Sequence, residues 1–132
     1  MANERQPIVI PGSGRGGRDT THRAPIPDGA KIGQFVCSSL LSGRDRERPD
    51  DPELQAKALF QKIREFMKEA GGTPDNIVQV TVYLTNEDYR SYVNKEWLEM
   101  FPDPDNRPAR VVTYREGAGG TTHMLVSLIA VV

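Results

Sequence analysis

The chain has 132 residues, the length of one domain able to bury roughly 65–70% of its unfolded surface, so it needs neither disulfides nor a structural metal to hold a core. Its 17 basic and 18 acidic residues leave a net charge of −1, which argues against a nucleic-acid scaffold. The single cysteine, Cys37, excludes an intrachain disulfide and fits a reducing compartment.

The opening Met1–Gly12 lacks the apolar stretch of a signal peptide, and no run of about 18 apolar residues occurs. The expectation is therefore a cytoplasmic protein with no membrane span. Within the polar first part, Ile8-Val9-Ile10 adds one short strand. Gly12-Ser13-Gly14-Arg15-Gly16-Gly17 formally matches a dinucleotide-binding glycine pattern. That pattern works only where a helix starts at the glycines, and Pro25 and Pro27 follow instead. A basic loop is the better reading.

Ala30–Ser39 reads as a strand with Gly33 as a bulge, Phe35, Cys37 and Ser39 on one face and Val36 and Ser38 on the other. Gly43–Asp51 is a charged loop whose Arg44, Arg46 and Arg48 are interleaved with acids, as in solvated surface. Asp51-Pro52-Glu53 starts a helix, with an acid at the cap and proline in the first turn. Leu59, Ile63, Phe66, Met67 and Ala70 give it one apolar face, and Gly71-Gly72 ends it. Ile77–Leu84 follows as a strand with Val78, Val80, Val82 and Leu84 on an apolar side, and Ile77, Gln79, Thr81 and Tyr83 on a mixed one. Thr85-Asn86-Glu87-Asp88 caps a second helix, whose buried stripe is Tyr89, Val93, Trp97, Met100 and Phe101, with Pro102 as its stop.

Two β-rich runs, Ala109–Glu116 and Thr122–Val132, flank Gly117-Ala118-Gly119-Gly120 and predict a β-hairpin. Centring the turn on Ala118–Gly119 sets Arg110 opposite Ser127 and Tyr114 opposite His123, all four on one face. The order of elements predicts an α+β fold with both helices on one face of a mostly antiparallel sheet. The polar quartet would then sit on the other face, beside Gln79 and Thr81.

Among candidate chemistries, Arg110 stands out because a guanidinium is permanently charged and grips a carboxylate bidentately. The alternative is an arginine that reaches solvent or pairs with Glu116 or Asp105. His22 and His123 are the only histidines, so no metal-ligand spacing is visible and no metal is expected. His123 has the right range for acid–base work. Cys37 reads as a small strand hydrophobe rather than a nucleophile. Ser38-Ser39 lacks a nucleophile-elbow context, which leaves Ser39 as a hydrogen-bonding pocket wall.

The segments IGQFVCSS, AGGTPDNIVQVTVYLTNEDYRSYVNKEWLEMF, RPARVVTY and VSLIAVV together resemble the Rid family of reactive-intermediate deaminases, also called the YjgF family. The resemblance spans about residues 25–132, read as a single Rid-like domain after a flexible segment at 1–24. It implies a chorismate-mutase-like fold, a homotrimer and clefts between subunits in which enamines and imines of 2-amino acids are hydrolysed to 2-keto acids and ammonia without a cofactor. By the same resemblance Ser39 and Asn94 line the cleft and Arg110 grips the carboxylate; Tyr114 joins them as a substrate-binding candidate through the register argument above.

Several positions depart from the family pattern. Ser127 stands where the family places the glutamate that positions water, Val112 replaces a cysteine, Leu40 a glycine and Ile26 a tyrosine. With no glutamate, Ser127 and His123 would order the attacking water. Two alternatives follow: a non-catalytic, small-carboxylate-binding or regulatory trimer, and a catabolic deaminase of the aminomuconate type. An RNA-cleaving role attached to the family gains little from the balanced charge and the missing aromatic–basic stripe.

Overall fold

The computed structural model describes residues 4–13, 25–43, 50–115 and 122–132. The glycine pattern beyond Ser13, His22, Arg44, Arg46, Arg48, Glu116 and the 117–120 turn lie outside the described residues.

Helix α1 (Pro52–Glu69) begins as its sequence requires: the Asp51 carboxylate accepts from Leu54 N at 3.1 Å, supplying a partner that the first helical turn lacks. Leu59, Phe60, Ile63, Phe66 and Met67 form its fully buried face. Gly71 then takes φ +88°, the left-handed stop that glycine adopts without strain. Strand β5 (Ile77–Leu84) follows. Asn86 caps a one-turn 3₁₀ helix, Glu87–Tyr89, that runs into α2 (Arg90–Met100). The described β-strands before α1 are β1 (Gln6–Ile8), β2 (Gly29–Ile32), β3 (Phe35–Ser38) and β4 (Leu41–Ser42); after α2 come β6 (Ala109–Tyr114) and β7 (Met124–Val131).

Both helices cover one face of a sheet ordered β1-β2-β3-β7-β5-β6, with β4 also pairing to β7. Neighbours are antiparallel except β5 and β6, which are parallel. Val80, Val82, Leu84, Val126, Leu128 and Ala130 from the two central strands point into the helix-side core with Val36. This is the expected α+β architecture.

Two expectations are corrected. Residues 30–39 form a hairpin rather than one strand: Ile32 pairs with Phe35, and Gly33, at φ +58°, occupies the turn instead of a bulge. The C-terminal runs do not form a hairpin with each other. Strand β5 lies between them, so Arg110 pairs with Val80 and Ser127 with Thr81. The reason is topological. Helix α2 carries the chain back to the start of β5, so β6 joins it in parallel, as a helical crossover permits. The near-continuous apolar run of β7 suits a central strand, whereas β6, with a charged residue inside it and Arg115 just after it, suits an edge.

Gly43, just after β4, packs closely against the backbone of α1. A Cβ there would collide with the Gln55 carbonyl oxygen and the Leu59 backbone, neither of which can rotate away. Gly43→Ala is therefore expected to lower unfolding stability by roughly 1–3 kcal/mol, read from the urea midpoint at unchanged slope.

Candidate functional site

Register decides which side chains meet. Paired residues of adjacent strands project to the same face, so Arg110, opposite Val80, lies on the helix side of the sheet with Val112 and Tyr114. Ser127, opposite Thr81, lies on the other, open side. The expected grouping of Arg110, Tyr114, His123 and Ser127 on one face is thus corrected: in one copy of the chain Arg110 and Ser127 are separated by the sheet.

What Arg110 meets instead is α2. Asn94 and Trp97, with Arg90 one turn before them and Phe101 just beyond the helix, recur at helical spacing and share a stripe. Arg110 Nη2 donates to Asn94 Oδ1 at 2.6 Å, and the guanidinium carbon sits 5.1 Å from the Trp97 ring centroid. Trp97 is itself braced edge to face by Phe101, with centroids 4.8 Å apart. Arg107 Nε donates to the Phe101 carbonyl at 2.9 Å, fixing the loop that delivers β6. A hydrogen bond to a charged group contributes about 1.5–3 kcal/mol and a partly buried cation–π contact about 1–2. Together they can hold the guanidinium in one orientation, but neither supplies negative charge.

Among the described residues no carboxylate pairs with Arg110; in the loop of the expected competitor Asp105, the Asp105 backbone N–H donates to Asp103 Oδ1 at 2.9 Å. Burial lowers the Arg110 pKa from its ordinary value, the nearby Arg90 cation lowers it further, and Tyr114 opposes both. The side chain nonetheless remains a cation at neutral pH. A half-buried cation with an amide, an indole and a second cation around it is electrostatically incomplete, and an anion is the missing group.

Within one copy the other expected site residues make contacts apart from Arg110. Ser39, just past β3, donates from Oγ to Pro27 O at 2.8 Å and from its backbone to Asp28 O at 2.7 Å, anchoring the 25–28 segment. Its neighbour Ser38 instead accepts from Leu128 N at 2.9 Å. His123 is a structural joint: its N–H donates to Gln55 Oε1 at 2.9 Å, its carbonyl accepts from Thr85, and its ring lies 5.1 Å from that of Tyr89. Among the described residues the buried His123 Nε2 has no hydrogen-bond partner and no contact to Arg110. Cys37 is exposed and free on the open face. Among the described residues no group of three or more His, Cys, Asp or Glu is placed to hold a metal ion, and no helix is long and apolar enough to cross a membrane.

A family model described as Endoribonuclease L-PSP matches residues 28–131. The chain belongs to the Rid/YjgF family. A RutC family protein of Pyrococcus abyssi is 29% identical over 103 residues, covering 69% of this chain and 77% of that protein. One from Aquifex aeolicus is also 29% identical, over 99 residues, covering 69% and 79%. The structure of a Yersinia pestis member of the conserved Rid protein family superposes with a TM-score of 0.78 at 20% identity, covering 98% of this chain and all of that one. RidA from an Antarctic Psychrobacter gives 0.73 at 21% identity, covering 84% and 91%. At these identities the structural likeness concerns the fold. Membership in the Rid family supports a deaminase-type or small-molecule-binding role.

Sequence reasoning did not foresee Trp97 as part of the site, because an aromatic at helical spacing reads as core. It also passed over Arg90. The available signal was the spacing of Arg90, Asn94 and Trp97 on one side of α2, opposite a strand that carries an arginine. Trp97 is the single tryptophan, which makes it a built-in reporter. Saturation with a small 2-keto acid is expected to change its emission, and Arg110→Gln to abolish that change, measured by steady-state fluorescence.

Proposed function

We propose that the chain is a cofactor-independent hydrolase of 2-imino and 2-enamino acids, acting in a site shared between copies of the chain. The observation that carries this reading is Arg110, oriented by Asn94 and Trp97 yet lacking a carboxylate partner among the described residues. In the reaction, Arg110 grips the substrate carboxylate and draws electron density from the adjacent C=N carbon. An enamine first takes a proton on carbon to become the iminium. Water adds to the C=N carbon and loses a proton; the amine of the resulting carbinolamine is protonated and leaves as ammonia, while the hydroxyl proton departs and the 2-keto acid forms.

Because Arg110 and Ser127 occupy opposite faces of the sheet, a cleft using both would draw them from two copies. The open face supports such association. It carries Ile32, Phe35, Val111 and Val131, each at least 40% exposed, around the polar Gln79, Thr81 and Ser127. We assign these to a homotrimer whose clefts combine the Arg110 edge of one copy with the open face of another. Ser127 is then the residue nearest in role to a water-holding carboxylate, and a neutral hydroxyl is a weak base. That neutrality also favours a second reading, a trimer that binds small carboxylates without turning them over.

Generation of 2-iminobutanoate in a coupled assay, with ammonia and 2-keto acid followed, separates the two. The hydrolase reading expects measurable turnover that falls about 100-fold or more in Arg110→Ala and rises in Ser127→Glu, by up to the roughly 100-fold at the lower end of what a general base contributes. Undiminished turnover in Arg110→Ala would remove Arg110 from the reaction. Binding of 2-keto acids with no turnover of any imine would select the second reading.

A further inference from the structure

The α2 stripe that holds Arg110 does not end at Asn94. Arg90 lies one helical turn, about 5.4 Å, further toward the N-terminal end of α2 on the same side. Asn94, which accepts from Arg110 Nη2, stands between the two on this stripe, and the positive charge of Arg90 adds to burial in disfavouring that of Arg110. Neither arginine has a carboxylate partner among the described residues, and Glu96, the buried acid of α2, is offset by two residues from Asn94 and pairs with neither. Tyr114 lies on the same side of β6 as Arg110. Two neighbouring cations without counterions repel each other. A monoanion neutralises one and leaves the other, whereas a dianion spanning both removes the repulsion.

We propose that Arg90 and Arg110, joined through Asn94 where α2 meets β6, form a two-cation seat that selects short 2-oxo and 2-imino dicarboxylates over monocarboxylates. Arg110 takes the carboxylate beside the reacting carbon, and Arg90 takes the distal one. The inference rests on reading Arg110 as the carboxylate grip, and it makes Arg90 the residue that sets substrate class. Its exposure keeps the gain modest, about three- to fivefold in affinity, and makes it sensitive to salt.

The test is a calorimetric titration of the full chain at low ionic strength with 2-oxobutanoate and with 2-oxoglutarate, repeated on Arg90→Gln, Arg90→Lys and Arg110→Gln, with thermal melts confirming that each variant is folded. The seat predicts tighter binding of 2-oxoglutarate by wild type. It further predicts loss of that preference in Arg90→Gln, its partial return in Arg90→Lys, and loss of both ligands in Arg110→Gln. Equal affinities in wild type, or an undiminished preference in Arg90→Gln, would overturn the role of Arg90 while Arg110→Gln still reports on the grip. Wild-type binding of both ligands by Arg110→Gln would overturn the grip itself.

Discussion

A single side chain organises the functional end of this protein. Arg110 is half-buried, hydrogen-bonded to Asn94 and stacked on Trp97. Those contacts fix its direction while leaving its charge uncompensated. A folded chain gains little stability by desolvating a cation beside another cation, so the arrangement makes most sense as a seat prepared for an anion. Much of the surrounding structure serves that seat. Phe101 braces Trp97, Arg107 ties down the entry to β6, and α2 sets Asn94 one turn from Arg90.

The sheet gives the seat its place. Strand β6 is an edge strand, held in parallel to β5 by the α2 crossover, so Arg110 sits at the rim of the core rather than inside it. The same topology separates Arg110 from Ser127, which projects from β7 on the open face. Chemistry requiring both residues would therefore be chemistry between copies. The exposed Ile32, Phe35 and Val131 offer the apolar surface on which copies could meet. With serine rather than a carboxylate at residue 127, the proposed reaction leans on substrate orientation more than on a strong base.

The local elements were legible in the chain. Helix α1 starts at its Asp51 cap and ends at Gly71, and β5 occupies Ile77–Leu84, because capping, glycine stops and periodicity are local signals; the expected alternation fails only at the start of β5, where a register shift between Ile77 and Gln79 buries Ile77 and exposes Val78. Strand neighbours were not legible. The glycines at 117–120 read as a tight turn, yet pairing depends on where α2 returns the chain, which no local pattern encodes. The resulting error put Arg110 and Ser127 side by side. Asn94 and Arg110, by contrast, entered together through family resemblance, and the structure places them 2.6 Å apart. Trp97 stayed hidden because burial and cation stacking demand the same aromatic residue at the same spacing.

The most direct measurement is a crystal structure of the full chain with 2-oxobutanoate bound. The account predicts the ligand carboxylate on the Arg110 guanidinium, with Asn94 and Trp97 still in contact with it and the open face of a second copy closing the cleft. A carboxylate seated away from Arg110, or Arg110 neutralised by an acidic side chain of a neighbouring copy, would contradict it.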